Sequence, residues 1–136
     1  MVCHLILRQL TRRFRRKLMP EPDVRAKMEA MCQSIQSNVL KLERLGLDKA
    51  QAIRDYDKKI AIIMLGLREG ENYKVGDKQV REPPPVSILE KLAKGLASEE
   101  KFKLDLAESA YKSCHTKIEA AKAILNAQQS IWRHSE

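Results

Sequence analysis

Aromatic side chains are scarce in this chain: one Trp, three Tyr and two Phe among 136 residues, 4% in all. A core made largely without them draws on Leu, Ile, Ala and Met, which bury less area per side chain, so length has to supply what each residue does not. Such a core is thin and encloses no deep pocket, which disfavours an enzyme with a buried substrate site. Glycine and proline are also few, five of each, while 32% of residues are charged. That balance resembles helical hairpins and coiled coils. The three cysteines, Cys3, Cys32 and Cys114, are odd in number and far apart, with no secretory signal and small-residue cleavage site beside them. They are expected to be free thiols in a reducing cytoplasm. The longest apolar run, Ile60 to Leu67, falls far short of the ~20 residues that span a bilayer, so no transmembrane segment is expected and the protein should be soluble.

The residues that carry chemistry are equally sparse. Cys3-His4, Cys114-His115 and His134 are zinc-ligand types, but no CxxC or HxxxH pair occurs, and adjacent residues on a helix point in different directions. Cys114 is expected to be a small core residue and His115 an exposed one. No glycine-rich phosphate loop and no nucleophile with a base and an orienting partner can be found. Asp55 with Asp57, and Glu99 with Glu100, are flanked by Lys or Arg. The second pair follows Ser98 and suits the first turn of a helix, where carboxylates complement the backbone dipole. No catalytic residue, cofactor or metal is therefore assigned, and the chain is not expected to be an enzyme.

No acidic residue occurs before Glu21, and six of the eight units of net positive charge, Arg8, Arg12, Arg13, Arg15, Arg16 and Lys17, lie in the first nineteen residues. The remaining 117 residues hold 20 basic and 18 acidic side chains. Leu7, Leu10, Phe14 and Leu18 recur at helical spacing through the basic stretch, which reads as a short amphipathic helix. Three roles fit it: an arm that grips DNA or RNA, a membrane-surface or targeting helix, or an upstream extension without a role. The last is suggested by Met19-Pro20-Glu21-Pro22 as an alternative start, which leaves Met1 and Met19 both open. Pro20 and Pro22 push their predecessors towards extended backbone and set a hinge.

Asp23 is placed as an N-cap for a first helix, in which Val24, Met28, Met31, Ile35, Asn38, Leu42 and Leu45 follow in steps of four and three. Gly46 interrupts, and Asp48 with Gln51 resembles a capping box that restarts a helix. Ile53, Tyr56, Ile60, Ile63 and Leu67 form a stripe out of phase with the first, so a bend near Gly46 or a stutter is expected. Periodicity stops from Glu69 to Pro85, where Tyr73–Val75 and Gln79–Arg81 are candidates for a small hairpin around Gly76-Asp77 and Pro83-Pro84-Pro85 favours polyproline II. Ser87 with Glu90 is a second capping box. Beyond the punctuation at Gly95 and Ser98, Leu104, Ala107, Tyr111, Cys114, Ile118, Ala121, Leu125, Gln128 and Trp132 keep strict heptad spacing.

A helix from Ser98 to Arg133 is more than ~50 Å long and needs a partner to cover its seam. The segment from Asp23 to Arg68 has matching length. The expected fold is all-α: a long antiparallel, coiled-coil-like helical hairpin with a Pro/Gly-rich connection that has room for a small β-hairpin. The arm and hinge occupy 1–22 and the hairpin domain 23–136, with helices at about 23–68 and 87–133 joined by 69–86. Asn38 and Gln128 fall on the apolar seams, where amides fix register or oligomeric state. They either pair across the hairpin or face solvent where it splays. Trp132 keeps the heptad phase and closes the bundle; the alternative for Trp132-Arg133-His134 is stacking on single-stranded bases.

The stretch from Ile60 to Arg133 resembles a family of small helical proteins from phages and prophages of Gram-positive bacteria. The matching pattern is Ile60-Ala61, Leu65, Leu67-Arg68 and Gly70, then Leu92-Ala93-Lys94-Gly95, then Lys103, Asp105, Ala107-Glu108, Tyr111-Lys112, Ile118, Ala121, Leu125-Asn126-Ala127, Ser130 and Arg133. The resemblance implies a helical hairpin without an assigned activity, in a bacterial cytoplasm and near recombination or replication genes. The Asn72 to Pro85 loop and the basic arm depart from the pattern. The function expected from all of this is a non-enzymatic accessory protein whose seam serves a protein partner or self-association. Nucleic-acid binding through the arm, with Lys91, Lys94, Lys101 and Lys103 as further candidates for phosphate contact, is the alternative, and a membrane-surface or targeting helix a second one.

The arm's role is separable by salt. If its six cations all engage duplex phosphates, log affinity should fall against log salt with a slope of about −5. Changing Arg12, Arg13, Arg15 and Arg16 to Gln should remove most of that slope, whereas a flat response in the unaltered chain would dismiss the role.

Overall fold

The computed structural model describes residues 22–80 and 82–134. In chain order these form α1 (Pro22–Arg68), β1 (Tyr73–Val75), β2 (Lys78–Val80), α2 (Val86–Leu96) and α3 (Ser98–His134). The fold is an all-α helical hairpin with a two-stranded antiparallel sheet in its connection. No described helix is long and apolar enough to cross a membrane. Contacts divide the chain into two compact units, one of residues 41–115 and one that combines the stretches up to Leu40 and from Thr116 onward.

In the 41–115 unit, α1 continues without interruption through Gly46 as part of a 47-residue helix. The expected restart at Asp48 does not occur, and Gln51 instead donates from Nε2 to Asp55 Oδ1 one turn on, at 3.0 Å. The reason lies in the partner: the Tyr111 ring rests on Gly46, where a Cβ would sit 3.5 Å from its Cε2, and Lys49 Nζ is 5.0 Å from the ring centroid. The first register simply carries on through half-buried Leu45, Lys49, Ala52 and Tyr56, while Ile53 stays 37% exposed. The phase shift comes later, where successive steps of four run from Ala52 to Tyr56 to Ile60, a stutter in the heptad pattern. Gly46 with Tyr111, and Tyr56 with Lys101 at 5.6 Å, pair rising numbers on α1 with falling numbers on α3. That order is antiparallel.

The core of this unit gathers Ile63, Leu67, Ala93 and Ala97, with Tyr56, Ile60, Met64, Tyr73, Val80, Leu89, Leu92 and Leu96 around them. Leu89, Leu92, Ala93, Leu96 and Ala97 follow the i, i+3, i+4, i+7, i+8 spacing of an amphipathic helix. The triple proline leads into α2 through Pro85 at φ −54 and ψ 146, a polyproline II conformation. The Ser87–Glu90 capping box is not formed. The helix begins at Val86 with no side-chain cap bond, the amides of Ile88 and Leu89 donate to the Pro85 carbonyl, and Glu90 turns to Lys94 at 2.9 Å. A single residue, the fully buried Ala97, separates α2 from α3, between the expected punctuation points Gly95 and Ser98.

The end of α1 is closed by Gly70 at φ +82: Glu71 N–H donates to the Gly66 carbonyl and Gly70 N–H to that of Leu67, the paired bonds of a Schellman motif. In the sheet Tyr73 pairs with Val80 and Val75 with Lys78, so the second strand starts one residue earlier than expected; Arg81 lies outside the described residues. Gly76 has φ +60 and no described non-glycine residue has positive φ, which matches a II′ loop with glycine at its first position. So small a sheet is marginal alone. It is held by Tyr73 and Val80 against the core, with the Tyr73 hydroxyl donating to Glu71 Oε2 at 3.1 Å. A Cβ added at Gly66 would collide with that hydroxyl and carboxylate.

In the second unit the inward residues of α1 are Val24, Met28, Met31, Ile35 and Asn38, all half-buried, and those of α3 are Ile118, Ala121, Leu125, Gln128 and Trp132. Met28 and Cys32 share one groove with Leu125 and Gln129.

The glycines of α1 and α2 make opposite predictions. Gly66→Ala, which must displace the ends of the Tyr73 and Glu71 side chains, should destabilise the protein by at most about 2 kcal/mol, an overpacking cost of about 1–3 kcal/mol less about 1 kcal/mol of helix propensity. Gly46→Ala and Gly95→Ala, where the added methyl meets ordinary contact or open space, should stabilise it by up to about 1 kcal/mol of helix propensity. Denaturant melts of the three variants provide the check.

Candidate interaction surface

Arg8, Arg12, Arg13, Arg15, Arg16 and Lys17 lie outside the described residues. The two seam amides are described, and they do not meet. Asn38 donates from Nδ2 to the Ser34 carbonyl at 2.9 Å, one turn back on its own helix. Gln128 Oε1 is buried without a hydrogen-bond partner, and the groove that joins Met28 to Leu125 and Gln129 puts Gln128 near the Met28 turn of α1, well short of Asn38. Cys114 is buried at 3% exposure and Cys32 is exposed; neither is in a disulfide. His115 is exposed. Among the described residues no three His, Cys, Asp or Glu side chains converge in a metal-binding group.

The charged residues are interleaved rather than massed. Lys94 Nζ pairs with Glu90 at 2.9 Å, Lys101 with Asp105 at 3.2 Å and Lys122 with Glu119 at 3.2 Å, all on exposed surface one turn apart. The hydrogen bond and charge of Glu90 hold the Lys94 ammonium above its ordinary pKa, and those of Lys94 hold Glu90 below its own. Asp105 raises Lys101 in the same two ways. Two of the four lysines that were candidates for phosphate contact, Lys94 and Lys101, are thus engaged by acids. A third, Lys103, shares an open groove with Asp48, Asp55 and Glu100 as well as Lys58 and Lys59. A phosphate backbone would meet mixed charge there.

The seam is occupied within the hairpin. Leu104, Cys114, Ile118 and Ala121 on α3 are all buried, so a partner has to use other faces. Those faces differ sharply. One flank of α3 is polar from end to end: Asp105, Glu108, Lys112, His115, Glu119, Lys122, Asn126, Gln129 and Arg133. On the other flank and outer face, over three turns from Ala120 to Ile131, the residues are Ala120, Ala123, Ile124, Ala127, Ser130 and Ile131, without a single charge. Ile124 is 47% exposed and Ile131 69%. In the same unit the corresponding side of α1 carries Ala30, Ser34 and Ser37, with Lys27 one turn before them. For a chain that is 32% charged, this is a concentrated apolar surface, the kind that marks an interaction site. The 4-3-4 spacing of Ala120, Ile124, Ala127 and Ile131 was present in the sequence, but the stronger seam stripe beside it dominates the periodicity.

Neither a family model, a curated protein nor a solved structure matches the chain.

The orphaned amide oxygen gives a test of the seam. Removing a buried acceptor that has no donor and keeping its shape should stabilise, so Gln128→Met is expected to raise stability by about 1 kcal/mol. A thermal melt showing a loss instead would mean that Gln128 holds an interaction across the seam.

Proposed function

We propose that this chain is a non-enzymatic interaction module: a helical hairpin whose seam maintains its own fold and whose outer α3 face receives a partner. The observation that carries this is the uncharged surface from Ala120 to Ile131, set against a wholly polar flank on the same helix. Apolar area that water must otherwise cover is the usual driving force of association. The resemblance of Ile60 to Arg133 to phage and prophage hairpins suggests the setting, an accessory role in DNA recombination or replication within a bacterial cytoplasm.

A second reading is favoured by one further observation, the six cations without an acid before Glu21. An arm of that charge binds phosphates without reading sequence, and it is compatible with the first reading: the arm would hold nucleic acid while the hairpin holds a partner. The apolar positions Leu7, Leu10, Phe14 and Leu18 keep a membrane-surface or targeting role as a third possibility for the same segment.

The two flanks of α3 supply an internally controlled test. A photo-crosslinking amino acid placed at Ile131 should yield a covalent adduct in cells, while the same group at Asn126 on the polar flank should not. Equal yields at the two positions, or none at either, would remove the interaction-module reading.

A further inference from the structure

The identity of the partner follows from the order of side chains on the apolar face, and the inference rests on the interaction-module reading just given. Ala120, Ile124, Ala127 and Ile131 alternate small and large along one stripe. Read backwards, the stripe runs large, small, large, small. We infer that the partner is a second copy of this chain, packed antiparallel along α3 about a two-fold axis that passes between Ile124 and Ala127.

In that arrangement Ala120 of one copy meets Ile131 of the other, and Ile124 meets Ala127, at every layer of the contact. Each isoleucine fills the space that the facing alanine leaves, which is how apolar surfaces reach interior packing density without voids. A parallel pairing in register would set isoleucine on isoleucine and alanine on alanine, crowding alternate layers and leaving gaps in the rest. A two-fold contact requires one patch to be complementary to itself, and this patch is.

The charge pattern points the same way. Nothing ionic lies on the stripe between Ala120 and Ile131, so no acidic peptide, basic peptide or phosphate chain is called for by the surface. The first strongly polar side chains beyond it, Lys117 at one end and His134 at the other, fall opposite each other across the proposed axis and stand at the rim, where interfaces are polar and wet. Small residues on the adjoining side of α1, Ser34 and Ser37 among them, leave room for the second hairpin to lie alongside.

The test is the mass of the full chain in solution, by sedimentation equilibrium across a concentration series, with circular dichroism to confirm helicity. The unaltered chain should reach twice its single-chain mass. Ile124→Glu and, independently, Ile131→Glu should return it to one chain while helicity holds; both sites are exposed in the single chain, so folding does not depend on them. Ile124→Glu combined with Ala127→Lys should restore the doubled mass, because each new carboxylate then meets the partner's new ammonium, two such pairs in all across the axis. A chain that stays single at every concentration would overturn the proposal, as would a doubled mass that neither glutamate variant alters. The broader reading is tested separately: a single-chain mass together with a crosslinked adduct from Ile131 to a different protein would sink the second-copy assignment alone.

Discussion

Close approach at glycine and alanine lets a chain with so few aromatic rings bury anything at all. The Tyr111 ring lies on Gly46 and Tyr73 reaches over Gly66, so two of the three tyrosines are seated where α1 has no side chain. Ala93 and Ala97, both fully buried, bring the α2–α3 junction against Ile63 and Leu67. Each contact trades side-chain bulk for proximity. Burial is then confined to residues that line the seam, and the rest of each helix remains exposed. The small β-hairpin persists for the same reason: its tyrosine occupies a notch that a methyl group would fill.

A fold held in this way commits its main apolar stripes to itself. The seam residues of α3 are buried within the hairpin, which moves any association to a face that the seam does not use. The ion pairs do not compete for that role. They are short-range, exposed and mostly one turn apart on a single helix, a geometry that contributes little to stability but leaves each polar flank close to neutral. The outer face of α3 formed by Ala120, Ile124, Ala127 and Ile131 is distinctive because it lacks such pairs.

Much of the fold was legible from spacing. The strict heptads of α3 mark its buried side from Leu104 to Trp132, and the stripe from Val24 to Leu45 does the same for α1. What spacing could not convey was how a partner uses a glycine. Gly46 reads locally as a breaker because glycine weakens isolated helices, whereas in the hairpin it is a seat for Tyr111, and this tertiary contact carries the helix through. Likewise, Ser87 and Glu90 have the composition of a capping box, yet the triple proline fixes the backbone that enters α2 and the helix begins before the serine. Gln128 was legible as a seam position but its unpaired oxygen was not, since that depends on what the facing turn of α1 offers. The outer stripe of α3 was written in the sequence too, hidden by the greater regularity of its neighbour.

The stutter between Ala52 and Ile63 has a consequence for the shape of the groove that α1 presents. A strict seven-residue repeat winds helices into a left-handed supercoil, while the 4-4-3 run here is locally an eleven-residue repeat, about 3.67 residues per turn, which relaxes that winding and tends towards the opposite hand. Over those turns α1 does not follow one partner round its axis. Its last turns carry Ile63 and Leu67 into a core shared with Leu89 and Leu92 of α2 and Tyr73 and Val80 of the β-hairpin, where a tightly wound pair would admit a single helix.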